Sequence, residues 1–267
     1  MGQLSDLQRE FKSIPRENPE ALHAFYEKLE GETRAGVLKL RESARKAEEK
    51  SRLELQRLKK MRLYEETCEK QGYTLICGID EAGRGPLAGP VAAGAVILPK
   101  DCVIFGLNDS KKLSPRRREE LYLEITEKAV AWGVGLVSPQ RIDEINILQA
   151  DYEAMCEAIG KLSVMPEILL NDAVKIPQVK IPQVPIVKGD SASVSIAAAS
   201  ILAKVTRDRL MDEYDDVFPE YGFASHKGYG TAAHYEALKK YGPCSIHRRS
   251  FLKTLPEHLK TREDGDA

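Results

Sequence analysis

Two hydrophobic rhythms divide the chain near residue 72. Before it, apolar positions recur at helical spacing: Leu22, Phe25, Tyr26 and Leu29 form one stripe, and Ala44, Ala47, Leu55, Leu58 and Met61 form another. No proline interrupts Thr33 to Glu66, and Glu42/Lys46 and Glu48/Arg52 stand four residues apart as helix-supporting pairs. The pattern predicts a short helix after Asn18-Pro19, with Asn18 as N-cap, and then one long amphipathic helix. Charges of both signs fill the remaining positions. The segment reads as a packing or linker helix pair, or as an auxiliary substrate-binding module.

After Gly72 the runs become β-rich. Tyr73 to Asp80 and Val91 to Leu98 read as two paired strands around a glycine-rich turn. Ser114 as N-cap and Pro115 at the first helical position open a charged helix to Lys128, followed by a third strand at 131–137 that Pro139 closes. Ile142, Ile145, Leu148, Tyr152, Met155 and Ile159 mark one amphipathic helix, and Glu167 to Asn171 a strand. A connector with the short repeat Lys175-Ile-Pro-Gln-Val and Lys180-Ile-Pro-Gln-Val leads to a brief strand at Ile186-Val187. Ser191, as N-cap, begins a long helix to Asp215, and further helices are expected at 231–241 and in the tail. Trp132 is expected in the core. Strands alternating with helices predict an α/β or α+β layered domain, a mixed sheet flanked by helices, with functional groups at strand ends.

Composition narrows the class. The 267 residues are 42% hydrophobic and 30% charged, which excludes collagen-like and wholly disordered chains. Forty basic against 41 acidic residues leave a net charge of -1, so partner class has to come from motifs. The five cysteines are scattered without a C-x-x-C pair, as free thiols in a reducing cytosol are; the nearest approach to a zinc pair, Cys244 with His247, lacks further ligands around it. The first residues lack the apolar stretch of a signal peptide, and no apolar run approaches 18 residues, so a cytoplasmic protein without membrane partners is expected.

The candidate chemistry lies in Gly78-Ile-Asp80-Glu81-Ala-Gly83-Arg84-Gly85-Pro-Leu-Ala-Gly89-Pro90, where two carboxylates close an apolar strand before a glycine-rich turn. A strand finishing in Asp is equally a turn initiator. Asp172 follows Ile-Leu-Leu-Asn and Asp190 follows Ile-Val-Lys-Gly, however, so three strands end in acids. If those ends are neighbours, they form a carboxylate cluster without His or Cys, which suits Mg²⁺ or Mn²⁺ and metal-assisted phosphodiester cleavage. Gly83-x-Gly85-x-x-Ala88 fits a loose dinucleotide pattern, but Pro86 and Pro90 bracket the loop and a β-type run follows where a helix is required. Glycines here let backbone N–H groups approach a ligand, and Arg84 can pair with a phosphate.

These residues resemble the ribonuclease HII (type 2 ribonuclease H) family. The resemblance rests on Asp80 to Pro90, Asn108-Asp-Ser-Lys-Lys-Leu-Ser114, Lys188-Gly-Asp190, Ser195 to Asp208, His226-Lys-Gly-Tyr-Gly-Thr231 and Ile246-His-Arg-Arg-Ser-Phe251, in the family's order, across residues 73 to about 252. It implies a ribonuclease H-like fold over 72–267, a helical extension over 1–71 that only some members carry, and C-terminal helices. The implied activity is metal-dependent endonucleolytic cleavage of RNA in RNA–DNA hybrids and 5′ of single ribonucleotides in duplex DNA, giving 3′-hydroxyl and 5′-phosphate ends, by a monomer. By motif, Asp80, Glu81, Asp172 and Asp190 are the catalytic, metal-binding carboxylates, although the family often has glycine where Ala173 follows Asp172. Gly83, Arg84 and Gly85 resemble the loop that reads the ribose 2′-hydroxyl, and Tyr229 the tyrosine that stacks on the next deoxyribose. Lys111, Lys112, His226 and Lys227 are further candidate substrate contacts, while His247 and Arg248 read as structural. A non-catalytic hybrid-binding module and a nuclease of the same fold for other nucleic acids are the alternatives.

Overall fold

A computed structural model describes residues 4–252. The chain divides into two compact units after Met61. The first contains α1 (Leu4–Ser13), α2 (Pro19–Lys28) and α3 (Ala35–Met61). Asn18 caps α2 as expected, its side-chain oxygen accepting from the Ala21 amide at 2.9 Å. Leu7, Phe11, Leu22, Phe25, Leu29, Val37 and Ala44 form the core of this unit, with the Phe11 and Phe25 rings stacked at 5.5 Å. The single long helix read from the sequence is two: α3 stops at Met61, and α4 (Leu63–Lys70) belongs to the second unit.

That unit continues with β1 (Ile76–Ala82), β2 (Val91–Ile97), α5 (Pro115–Lys128), β3 (Ala131–Val137), α6 (Pro139–Ile145), α7 (Ile147–Gly160), β4 (Ile168–Asp172) and β5 (Gln183–Ile186). Its last described elements are α8 (Gly189–Ala192), α9 (Val194–Val217), α10 (Phe223–His226), α11 (Ala232–Tyr241) and α12 (Arg249–Leu252); any helix expected in the tail beyond 252 lies outside the described residues. The five strands form one mixed sheet in the order β3-β2-β1-β4-β5. The β1–β2 and β2–β3 pairs are antiparallel, while β1–β4 and β4–β5 are parallel. On one face Cys77, Ile79, Ala93 and Ala95 pack against Ala150, Ala154, Met155 and Ala158 of α7. The opposite face carries Gly78 and Gly94, and α9 lies directly on it.

Several local expectations shift for identifiable reasons. Pro139 does not merely close β3 but starts α6, with Ser138 as N-cap. The helix expected across Ile142–Ile159 breaks at Asn146, whose φ of 69° ends α6 and whose side chain caps α7. The N-cap of α9 is Ser193 rather than Ser191, because Gly189–Ala192 forms its own short turn of helix. Trp132 is not in the core: β3 is an edge strand, and the indole is 39% exposed against Tyr122. Among the described residues no helix is long and apolar enough to cross a membrane.

Helix α4 has a specific task within this unit. Glu65, buried, accepts hydrogen bonds from the Ser193 hydroxyl (2.5 Å) and the Ser195 amide (3.0 Å), securing the start of α9. Glu65→Ala leaves a buried hydroxyl and a helix N-terminal amide without their acceptor, so the thermal midpoint should fall by the equivalent of about 1–3 kcal/mol. An unchanged midpoint in calorimetry of the full chain would remove this role.

Candidate active site

Parallel pairing of β1, β4 and β5 brings their C-terminal ends to one edge of the sheet, the juxtaposition that the carboxylate reading requires. Asp172 is the last residue of β4, and Asp190 lies in the first turn of α8, just after β5. Asp80 is not terminal, since β1 runs two residues further to Ala82. Strand alternation turns Asp80 toward the α9 face with Gly78, and Glu81 toward the face of α7. Asp172 accepts the Gly189 amide at 2.7 Å, tying β4 to the segment that carries Asp190. Ala173 has φ 53°, a left-handed conformation that favours glycine; alanine adopts it here at a cost of about 1 kcal/mol, and the chain keeps the turn after Asp172.

Electrostatics mark these acids as a set. Burial holds the Asp80 carboxyl well above its usual range, and the charges of Glu81, Asp172 and Asp190 push it further. Glu81 is raised by burial and by Asp172, with Arg84 opposing. Asp190 is raised by burial, then by Asp109 and Asp172, with Lys111 opposing. Lys111 is the matching cation: burial pulls it down, but attraction to Asp80, Asp109, Asp190 and Glu81 prevails and holds its ammonium above the usual range. Among the described residues no three Asp, Glu, His or Cys side chains converge tightly enough to define an ion site by position alone. The donor chemistry nevertheless fits a hard divalent cation. Carboxylate oxygens repel one another where they are poorly solvated, and one of them, Glu81 Oε2, is buried without a hydrogen-bond partner.

Asp151 belongs to this neighbourhood and escaped the sequence reading. It lies on α7 with no solvent exposure, and neither carboxylate oxygen has a hydrogen-bond partner. Arg84 lies between two acids, its Nη1 3.4 Å from Glu81 Oε1 and its Nε 3.6 Å from Asp151 Oδ2. Burial first, and then the charge of Glu81, push Asp151 up to about 8. The available signal was an acid inside the apolar stripe Ile147, Ala150, Ala154, Met155 and Ala158. Asp109, in the Asn108–Ser114 motif, is a second such acid: it lies beside Asp190 and caps the 3-10 turn Ser110–Lys112 by accepting from the Lys111 amide.

The glycine-rich loop and Tyr229 meet next to the carboxylates. Tyr229 is 43% exposed, and a Cβ placed on Gly85 would lie 3.9 Å from its ring. The Leu87 amide bonds the Gly228 carbonyl and the Gly89 amide the Ile246 carbonyl, so the loop is stitched to both C-terminal segments. His226 has both ring nitrogens engaged, Nε2 with the Tyr221 carbonyl and Nδ1 with the Gly228 amide. It therefore shapes the turn before Tyr229 with its ring stacked on His234. His234 Nδ1 bonds the Tyr229 carbonyl, and His234 Nε2 bonds His247 Nε2 at 3.0 Å. Burial lowers these two histidines to about 4 and about 3, so both are neutral supports at physiological pH. Lys227 pairs with Asp212, and Lys112 donates to Ser191 Oγ at 2.9 Å, joining the 108–113 segment to α8.

The chain resembles known proteins along most of its length. The Ribonuclease HII family model matches residues 77–254, and the Ribonuclease HII N-terminal domain model matches residues 4–69. The ribonuclease HII of Lachnoclostridium phytofermentans is 61% identical over 222 residues, which cover 83% of this chain and 87% of that protein. That of Clostridioides difficile is 57% identical over 204 residues, covering 76% and 80%. Among solved structures, ribonuclease H2 from Pyrococcus horikoshii aligns with a TM-score of 0.57 and 29% identity, covering 66% of this chain and 92% of that one. RNase HII from Archaeoglobus fulgidus, solved in complex with PCNA, aligns with a TM-score of 0.57 and 30% identity, covering 71% and 98%. Bst-RNase HIII in complex with Mn²⁺ shares the fold at 18% identity, with a TM-score of 0.52 over 65% of each chain.

Proposed function

Because the chain belongs to the ribonuclease HII family, we propose that it hydrolyses RNA in RNA–DNA hybrids and cuts 5′ of single ribonucleotides embedded in duplex DNA. Products carry 3′-hydroxyl and 5′-phosphate ends, and the protein acts as a cytoplasmic monomer. The observation that carries the reading is the set of mutually repelling carboxylates at the adjacent ends of β1, β4 and β5, beside a glycine-rich loop and an exposed tyrosine.

Asp80, Glu81, Asp172 and Asp190 would hold Mg²⁺ or Mn²⁺, as a pair of ions in the full site. Bound there, such ions supply a nucleophilic water near neutral pH and neutralise charge on the leaving 3′-oxygen. The rest falls to the chain's own groups. Lys111, already drawn to the acids, offers positive charge to the phosphodiester as it enters. The amides of Arg84 and Gly85 and the Arg84 guanidinium bond the ribose 2′-hydroxyl and the adjoining phosphate, while Asp151 and Glu81 restrain that guanidinium from behind. Tyr229 lays its ring against the following sugar, which fits closely only when C2′ bears no hydroxyl. Lys112 and Lys227 reinforce the backbone contacts at the rim, and His226 keeps the Tyr229 turn in shape.

Three matched duplexes test this: all-DNA, DNA with one internal ribonucleotide, and a full RNA–DNA hybrid, each with Mg²⁺, Mn²⁺ or chelator. Metal-dependent cutting 5′ of the lone ribonucleotide is expected, with the all-DNA duplex untouched. Binding without cutting under every condition would favour a non-catalytic hybrid-binding module. In the same assay Tyr229→Ala should lower the preference for the ribonucleotide–deoxynucleotide junction by about 10-fold, the loss of one stacking contact. An unchanged preference would remove Tyr229 from the site.

A further inference from the structure

Two arginines are fully buried beneath the loop, Arg207 on α9 and Arg248 before α12, at 1% and 0% exposure. Neither makes a hydrogen bond to a carboxylate among the described residues. Arg207 donates to the carbonyls of Pro90 (2.9 Å), Lys227 (2.9 Å) and Ala88 (3.0 Å). Arg248 donates to the carbonyls of Gly89 (2.9 Å), Arg84 (2.9 Å) and Gly83 (2.6 Å). The acids nearest in sequence or field are engaged elsewhere: Asp208 with Lys204, and Asp143 with the Arg249 and Ser250 amides. Burial draws Arg248 down to about 9, still above neutrality, so its charge persists. Charged groups placed inside a protein without a counter-ion are costly, and this pair stands directly behind the residues proposed to meet the substrate.

The geometry has a directional consequence. In a trans peptide the C=O of one residue points opposite to the N–H of the next, and no peptide bond among the described residues is cis. Arg248 holds the Gly83 and Arg84 carbonyls inward, so the Arg84 and Gly85 amides face away from it. Gly83, with φ 91°, permits this orientation. Two successive outward amides form an anion-binding concavity, and a buried guanidinium behind them adds positive potential.

We propose that Arg248 is a positioning residue for substrate discrimination: its buried guanidinium, bonded to carbonyls rather than to a carboxylate among the described residues, orients the Arg84 and Gly85 amides and charges the concavity that receives the ribonucleotide and its phosphate. The inference rests on the reading that this loop contacts the ribonucleotide. Arg207 sets the spacing between the loop and the Tyr229 turn, by bonding carbonyls on both, and leaves the amide orientation to Arg248.

Steady-state kinetics of the full chain and of Arg248→Lys and Arg248→Gln test it, with the single-ribonucleotide duplex and the full hybrid as substrates and thermal midpoints measured in parallel. Arg248→Gln should raise KM for the single-ribonucleotide duplex by about 10–100-fold while kcat changes by less than about 3-fold. The full hybrid, which offers neighbouring ribonucleotides to the same loop, should lose less. Arg248→Lys, retaining the charge but not the fork, should recover part of the KM. A fall in kcat shared equally by both substrates, or a KM near the wild-type value in either variant, would overturn the proposal in favour of a purely structural arginine. If Arg248→Gln does not fold, the KM of Arg248→Lys on the two substrates decides alone. Wild-type protein that fails to cut at a lone ribonucleotide would instead defeat the underlying reading, whatever the variants do.

Discussion

Asp80→Asn should lower kcat by roughly 10³-fold or more while leaving the metal-free protein at least as stable as the wild type. The two halves of this expectation have one cause. Asp80 is buried between other acids, and burial followed by the charges of Glu81, Asp172 and Asp190 raises its pKa well above the ordinary aspartate value. A raised folded-state pKa means that the folded chain holds this proton more tightly than the unfolded chain does. Without metal, stability therefore falls as pH rises from the unfolded aspartate range through the higher folded value. The amide cannot ionise, so the variant should lack that part of the slope and melt at the same temperature or higher at neutral pH. It also presents a neutral oxygen where a divalent ion requires an anionic one. Melting curves across pH in chelator, together with single-turnover cleavage in Mg²⁺ and Mn²⁺, separate the effects. Near-normal turnover would sink the assignment of Asp80, and a large loss of metal-free stability would show that its carboxylate is structural.

Where a local pattern alone sets structure, the sequence was a sufficient guide. Asn18 and Ser114 each accept a hydrogen bond from a first-turn amide of the helix they precede, and β3 spans the residues its apolar run predicts. Failures occurred where a single backbone torsion or a tertiary bond intervenes. Periodicity runs uninterrupted through Arg62 and through Asn146, yet the helix ends at both places. Asn146 is a helix N-cap at a positive φ, a role that its neighbours' hydrophobicity does not register. Ser191 and Ser193 are both acceptable caps by type; Glu65, far away in sequence, favours Ser193 by accepting its hydroxyl hydrogen bond.

The candidate site was legible to a similar degree. The order of strands could not be read from the chain, but the acids at strand ends could, and the parallel β1–β4–β5 arrangement makes those ends neighbours. Asp151 was passed over because an acid on a helix is ordinarily exposed, and only its complete burial gives it meaning. Arg248 was read as structural from its place in the tail. Its support of the Gly83, Arg84 and Gly89 carbonyls joins residues separated by as many as 165 positions, which no local pattern encodes.

Gly78→Ala is expected to cost about 3 kcal/mol or more and to lower the thermal midpoint by roughly 6–12 °C. Gly78 faces α9 from β1, and a Cβ there would lie 2.1 Å from the Ser195 carbonyl carbon and 2.4 Å from the Ile196 amide nitrogen. Both obstructing atoms are backbone, held by the Glu65 and Ser193 bonds that start the helix, so no side chain can swing aside. Gly94 on β2 makes a parallel approach to the Ala199 carbonyl, and the two glycines let α9 lie against the sheet without a side-chain layer between them. Displacing α9 also displaces α8, which joins it at Ser193 and carries Asp190, while Asp80 stands two residues beyond Gly78 on the same face. Activity should therefore fall at temperatures where the variant remains folded. Gly160→Ala is the matched control: no atom lies within 4 Å of its added Cβ, and alanine is the better helix former by up to about 1 kcal/mol. Calorimetry and hybrid cleavage at a temperature below both transitions compare the two. A Gly78→Ala protein that melts with the wild type would show that α9 can retreat without cost, and that the carboxylates do not depend on this contact for their spacing.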